Sequence, residues 1–140
     1  MYMIGVVGYS EGVFDEDTAR DYIAKFFDVI GTNYATPGHS ICVSSGWSNQ
    51  GIPKLAYEEA TRRGWITAGV ACSKIFDYPR FPVNAEKVVG TEWGDESAEF
   101  IGDLDCLLRI GGGEQSRKEV RMFYEAYPYK PIFEMELERL

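Results

Sequence analysis

Six short apolar, β-rich runs alternate with amphipathic segments along this chain, and that alternation restricts its fold more than any other feature. Tyr2–Gly8 (YMIGVVG) is a continuous β-branched run closed by glycine. A helical pattern follows over Asp15–Gly31. It places Ala19, Tyr22, Ile23, Phe26, Phe27 and Ile30 on one face, with Asp15 or Asp17 as its cap and Gly31 as its stop. Ser40–Gly46 reads as a second strand. Gly51–Gly64 reads as a second helix, with Pro53 in its first turn and Gly64 just past its end. Trp65–Cys72 is a third strand, and Ser73–Glu86, with two prolines and no clear period, a loop. Lys87–Gly90 is a short fourth strand, Asp95–Leu104 a short helix and Asp105–Gly111 a fifth strand. Glu114–Tyr127 closes the series as a helix, followed by a sixth strand over Lys130–Glu136.

Strands apolar on both faces, separated by amphipathic helices, require a sheet covered on both sides. Chirality rules then leave few topologies. The expected class is α/β: a doubly wound, mostly parallel Rossmann-like sheet of about six strands with helices on both faces, forming one domain over residues 1–140.

Charge narrows the partners. A net charge of -8 repels a phosphate backbone over most of the surface, so no nucleic-acid partner is expected. Oriented backbone amides can still hold a small phosphorylated ligand whatever the global charge. No apolar run reaches the roughly 18 residues of a membrane helix, and the N-terminal segment lacks signal-peptide character, so the expected location is cytoplasmic with no membrane partner. Cys42, Cys72 and Cys106 are odd in number, lack CxxC spacing and lie in apolar segments. They read as buried free thiols, and no metal site is expected. His39 precedes the second strand, at the sheet end opposite the candidate site, which argues against a histidine base or a Ser/His/Asp triad.

In doubly wound sheets, ligands bind beyond the carboxyl ends of the strands where strand order reverses. Three strand-end turns combine glycine with small polar side chains ahead of a helix. They offer Gly8, Ser10 and Gly12; Gly46, Trp47, Ser48, Asn49 and Gly51; and Gly111, Gly112, Gly113, Gln115 and Ser116. Glycine permits close backbone approach, and a helix N-terminus adds free amides and partial positive charge. The first turn does not fit GxGxxG, so the dinucleotide fingerprint is absent. Trp47 is placed to stack on a base or, equally, to be a buried indole. Thr91, Glu92, Trp93 and Asp95 follow the fourth strand at the same sheet end and offer a pocket wall of carboxylates, although Asp95 or Ser97 also fits a simple helix cap. Glu119 fits a group that orients a ribose hydroxyl or acts as general base; its alternative is an ordinary first-turn glutamate on the helix dipole. Arg117 and Lys118 fit either an anion contact or a solvated helix face.

These turns resemble those of the SLOG superfamily, the Rossmann-like proteins that include LOG-type cytokinin phosphoribohydrolases, the DNA-processing protein Smf and nucleotide-sensing domains. The LOG-type signature PGGxGTxxE is matched in part by GGGEQSRKE. Gly112 and Gly113 take the paired glycines, Ser116 the threonine and Glu119 the glutamate, while Gly111 replaces the proline and Gln115 the last glycine. SGWSNQGIP is similar to the family's GGGxxGxM turn through Gly46 and Gly51, and GYSEG to its GSxxG-like turn through Gly8, Ser10 and Gly12. The resemblance implies a nucleotide or nucleotide-derived ligand between the turns, no additional required cofactor, and a homo-oligomer, dimer or higher. The family's catalytic arginine on the helix before strand five has no counterpart, because DESAEFIGDL holds neither arginine nor lysine.

The leading expectation is therefore a protein that binds a nucleotide-type ligand as sensor, carrier or sequestering protein. A phosphoribohydrolase or N-glycosidase with Glu119 polarising the ribose and Glu92 or Asp95 assisting is the alternative. A ligand-free interaction protein comes third.

Overall fold

The computed structural model describes residues 1–35 and 37–140. Its elements are β1 (Tyr2–Gly8), α1 (Glu16–Asn33), β2 (Ile41–Ser45), α2 (Gly51–Arg62) and β3 (Ile66–Ala71), then a 3-10 turn over Ser73–Asp77. They continue with β4 (Ala85–Val88), α3 (Ser97–Gly102), β5 (Cys106–Ile110), α4 (Glu114–Ala126) and β6 (Ile132–Met135). The strands form one sheet in the order β4-β3-β2-β1-β5-β6, and every pairing is parallel. The chain moves outward from β1 to β4 and then returns to lay β5 on the other side of β1. The strand order therefore reverses between β1 and β5, as a doubly wound fold requires.

Side-chain alternation divides the core into two layers. Ile4, Val6 and Val43 face α1 and α2, where Ile23, Phe27, Ile30 and Leu55 pack on them. Val7 and Leu107 face α3 and α4, against Phe100, Ile101, Val120 and Phe123. Full burial of each such side chain contributes roughly 1.5–3 kcal/mol, which fixes the register of the central strands.

Asp15 is the cap of α1: its Oδ1 accepts from the Thr18 amide at 3.1 Å. Gly31 does not end that helix. Its φ is not in the left-handed region, and the helix continues over it to Asn33, with Gly31 beside the Trp65 ring. Gly64, at φ +75°, does reverse the chain after α2.

Two further expectations change at the sheet edge. Part of Ser73–Glu86 is structured, and β4 begins at Ala85 rather than Lys87. The Asn84 side chain accepts from the Thr67 amide at 2.9 Å and the Asn84 amide donates to the Thr67 carbonyl at 3.0 Å, pinning the strand two residues early. All four β4 residues are exposed, so no apolar alternation marked the element.

Candidate functional site

A cleft of about 520 Å³ opens where the strand order reverses, at the carboxyl ends of β1, β2 and β5. The three glycine-bearing turns meet there. Gly8 and Ser10 come from the first, Gly46 and Ser48 from the second, and Gly113, Gln115, Ser116 and Glu119 from the third. Tyr9, Glu11 and Gln50 of the same turns also line it, with Trp93 of the turn after β4, and so do Tyr78, Glu96 and Arg139, which the sequence did not single out.

The glycines divide by what the backbone demands of them. Gly111 and Gly112 adopt φ of +57° and +98°, and a Cβ on Gly112 would lie 2.7 Å from the Ser116 hydroxyl. Gly51, at φ +62°, lies against the Tyr9 carbonyl oxygen and docks the second turn on the first, where the Ile52 amide donates to that oxygen at 2.8 Å. These three serve the fold and do not line the cleft. Gly46 and Gly113 are different: φ is ordinary, nothing lies within 4 Å of an added Cβ, and both face the cleft. Their missing side chains leave bare backbone open to a ligand.

Helix ends add to this. α1 is capped by its own Asp15, whereas α2 and α4 begin at the cleft from Gln50 and Gly113 with no side-chain cap. At α4 the first-turn amides stand free beside the cavity; at α2 the Ile52 amide is taken by the Tyr9 carbonyl and Pro53 has no N–H, so that end adds partial positive charge rather than a set of donors. The Ser116 hydroxyl donates to the Gly8 carbonyl at 3.3 Å and the Ser45 hydroxyl to the Val6 carbonyl at 2.6 Å, so side chains tie the strand ends together.

Trp47 is a buried indole, not a surface for stacking. It adopts φ +71°, covers Gly69 of β3, and donates from its ring nitrogen to the Phe81 carbonyl at 3.0 Å. The Tyr57 hydroxyl holds its backbone, accepting from the Trp47 amide at 3.0 Å. The Asn49 amide donates to the Pro79 carbonyl at 2.9 Å, and neither Asn49 nor Gly12 lines the cleft.

The expected wall of Thr91, Glu92 and Asp95 lies outside the cleft. Asp95 accepts from the Glu92 and Thr91 amides at 3.0 Å each, bonds that hold its carboxyl below the usual range and shape the turn. Glu92 pairs with Lys74 at 2.5 Å on the surface. Of the residues that the turn was expected to offer, Trp93 does line the cleft, and the carboxylate beside it is that of Glu96. The Glu96 carboxylate, 5% exposed, accepts from the Gln115 side chain at 3.0 Å and the Gly94 amide at 3.1 Å.

Glu119 is also buried, and its Oε2 accepts from the Ser97 hydroxyl at 3.0 Å. Burial pushes its carboxyl up to about 7; the Ser97 hydrogen bond opposes that rise and the neighbouring Glu96 charge adds to it. Arg117 turns away to Glu136 at 3.1 Å. Among the described residues lining the cleft, Arg139 is the one cation, against the carboxyl groups of Glu11, Glu96, Glu114 and Glu119. It reaches the cleft on a C-terminal segment fastened by the Tyr9 hydroxyl to the Leu137 carbonyl and by the Leu140 amide to the Val13 carbonyl. Nothing in MELERL distinguished Arg139 from an ordinary surface arginine.

No family model matches the chain, and no curated protein matches it. Solved structures do. The molybdenum cofactor binding protein of Rippkaea orientalis superposes with a TM-score of 0.71 at 19% identity, over 96% of this chain and 76% of that one. The Moco carrier protein of Chlamydomonas reinhardtii gives 0.69 at 20% identity, over 96% and 75%. A structural-genomics target, TM1055, gives 0.72 at 19% identity, over 94% and 72%. These proteins and this chain share one fold. That fold agrees with the one implied by the resemblance at Gly112, Gly113, Ser116 and Glu119.

Metal ligation has no candidate: among the described residues, no group of three or more His, Cys, Asp or Glu is placed to hold an ion. The thiols of Cys42 and Cys106 are buried, and burial pushes them up to about 11 and about 12, so they are held as thiols rather than nucleophilic thiolates. Among the described residues no helix is long and apolar enough to cross a membrane.

Proposed function

We propose that this protein binds a nucleotide or nucleotide-derived phosphorylated ligand in the cleft, as a carrier, sensor or sequestering protein. The observation that carries the reading is the pair Gly46 and Gly113, which face the cleft although neither conformation nor crowding requires glycine there. Uncapped α2 and α4 beside them favour an anionic group, each such contact contributing roughly 0.3–1 kcal/mol. Two proteins of the same fold are described as binding or carrying the molybdenum cofactor, which supports a carrier role for a small cargo.

A second reading rests on Glu119. A carboxyl pushed up to about 7 in a buried position suits proton transfer near neutrality, as hydrolysis of an N-glycosidic or phosphoribosyl bond would need. No arginine on α3 accompanies it, so binding stands ahead of catalysis.

Both readings meet one experiment. The purified protein is incubated with nucleoside monophosphates, cyclic nucleotides and ADP-ribose, and melting temperature and free base are followed together. A ligand at 100 times its Kd adds ~2.7 kcal/mol, a rise of roughly 8 °C for a domain of this size. A rise without base release supports the binder, and release abolished in Glu119→Gln supports the hydrolase. No response to any of them overturns both.

A further inference from the structure

The cleft is lined by both polar and apolar groups, and two large, half-exposed aromatic side chains from separate segments stand among them. Tyr78 follows the 3-10 turn and Trp93 lies in the turn between β4 and α3. Their rings meet edge to face, with centroids 5.8 Å apart and planes inclined at 64°. Tyr78 is 50% exposed and Trp93 46% exposed, yet both line the cavity. An edge-to-face contact covers one face of one ring and leaves the others free. The Trp93 indole and the Tyr78 hydroxyl have no hydrogen-bond partner among the described residues, whereas Trp47 has both burial and a partner. Folding therefore gives no reason for two exposed aromatics at this place.

The turn that carries Trp93 is hydrogen-bonded on both sides. Asp95 locks it from one side through the Thr91 and Glu92 amides. Glu96 locks it from the other by accepting from Gly94 within the turn and from Gln115 on α4. An indole and a fixed carboxylate thus stand three residues apart on one preorganised loop. A carboxylate has about four acceptor positions, and Glu96 has two in use. Its remaining positions suit a pair of adjacent N–H donors, because two parallel hydrogen bonds to a carboxylate need donors side by side.

We infer that Tyr78 and Trp93 form an aromatic lip that stacks on a planar heterocycle, and that Glu96 reads adjacent ring N–H and amino donors on its edge. The inference rests on the ligand reading above and extends it from the phosphorylated end to the ring. The chemistry named is the 2-amino-4-oxo-pyrimidine edge, which guanine and pterins carry and adenine lacks.

Isothermal titration of the whole chain with GMP, AMP, guanosine, unphosphorylated pterin and ribose 5-phosphate tests it, alongside Trp fluorescence. GMP is expected to bind at least tenfold more tightly than ribose 5-phosphate, the scale of one base–aromatic stack, and to quench the emission. Guanosine against pterin then distinguishes the two sources of the same edge. Trp93→Ala is expected to erase the margin of GMP over ribose 5-phosphate, with Trp93→Phe restoring most of it. Glu96→Gln is expected to remove the preference of GMP over AMP. Equal binding of GMP and ribose 5-phosphate overturns the lip and leaves the phosphate reading standing. Binding of guanosine or pterin with no gain from phosphate supports the lip and overturns the phosphate reading. A GMP margin that survives Trp93→Ala, or no binding of any probe, overturns the inference.

Discussion

The Arg109 guanidinium donates from Nη1 to the Gly111 carbonyl oxygen at 2.7 Å, so a buried cation holds the glycine turn from the side away from the cleft. Glu134 and Glu136 complete the arrangement at 2.7 and 2.6 Å. Replacing the cation leaves the Gly111 carbonyl without its partner and brings two carboxylates together. Arg109→Met is expected to destabilise the fold by about 1–3 kcal/mol, read from a urea melt. The Arg109 hydrogen bond, with Arg117 adding, holds Glu136 down at about 2 from its ordinary 4.5. A depressed carboxyl stabilises the fold above pH 4.5 and loses that contribution as pH falls toward 2. The variant should show a flatter acid slope across that window.

Glu119 has the opposite sign. Its carboxyl rises from 4.5 to about 7 on folding, so the folded state binds the extra proton between those values. Stability then falls as pH rises from 4.5 through 7, by on the order of 3 kcal/mol in all. Glu119→Gln keeps the acceptor for Ser97 but cannot ionise. Urea melts at pH 5 and pH 8 should converge in the variant and diverge in the parent. An equal slope in both would mean that Glu119 keeps its ordinary affinity for protons.

Gly112, Gly113 and Gly46 make separable predictions. Gly112→Ala forces a Cβ at φ +98° and onto Ser116, and should lower stability by about 1–3 kcal/mol. Gly113→Ala meets nothing within 4 Å, so it should cost less than Gly112→Ala, no more than about 1 kcal/mol for an N-cap glycine, while weakening nucleotide binding. Gly46→Ala should behave as Gly113→Ala does. A loss of stability equal to that of Gly112→Ala at either site would make those glycines structural and remove the main support for the ligand reading.

Periodicity and glycine punctuation carried the sheet, because β1, β2 and β5 are buried and apolar enough to declare themselves. β4 did not, since all four of its residues are exposed and its start is fixed by Asn84 and Thr67 across the sheet. The turns at the cleft were legible because glycine before a helix has few causes. Within them, sequence could not separate Gly112 from Gly113, which differ only in φ and in what a Cβ would meet. Nor could it separate Asp95 from its neighbour Glu96, because the turn directs one carboxylate to its own amides and the other to Gln115. Arg139 was silent, arriving through a tertiary contact of the C-terminal segment with Tyr9 and Val13.

Arg139 itself gives the last prediction. It is exposed, its guanidinium lies 5.8 Å from the centre of the Tyr9 ring, and it faces a cleft otherwise bordered by carboxylates. A phosphorylated ligand entering that field needs a cation to offset Glu11 and Glu114, and the guanidinium can make paired hydrogen bonds to phosphate oxygens. Arg139→Gln should weaken binding of a nucleoside monophosphate by about tenfold while leaving the corresponding nucleoside unaffected. Parent affinity should fall as sodium chloride is raised from about 50 to about 500 mM, because an exposed ion pair is screened over about 10 Å at 0.1 M. The variant should lose most of that salt dependence. Equal salt slopes in the two proteins would show that backbone amides at the start of α4 hold the anion without Arg139, and that Arg139 contributes packing on Tyr9 instead.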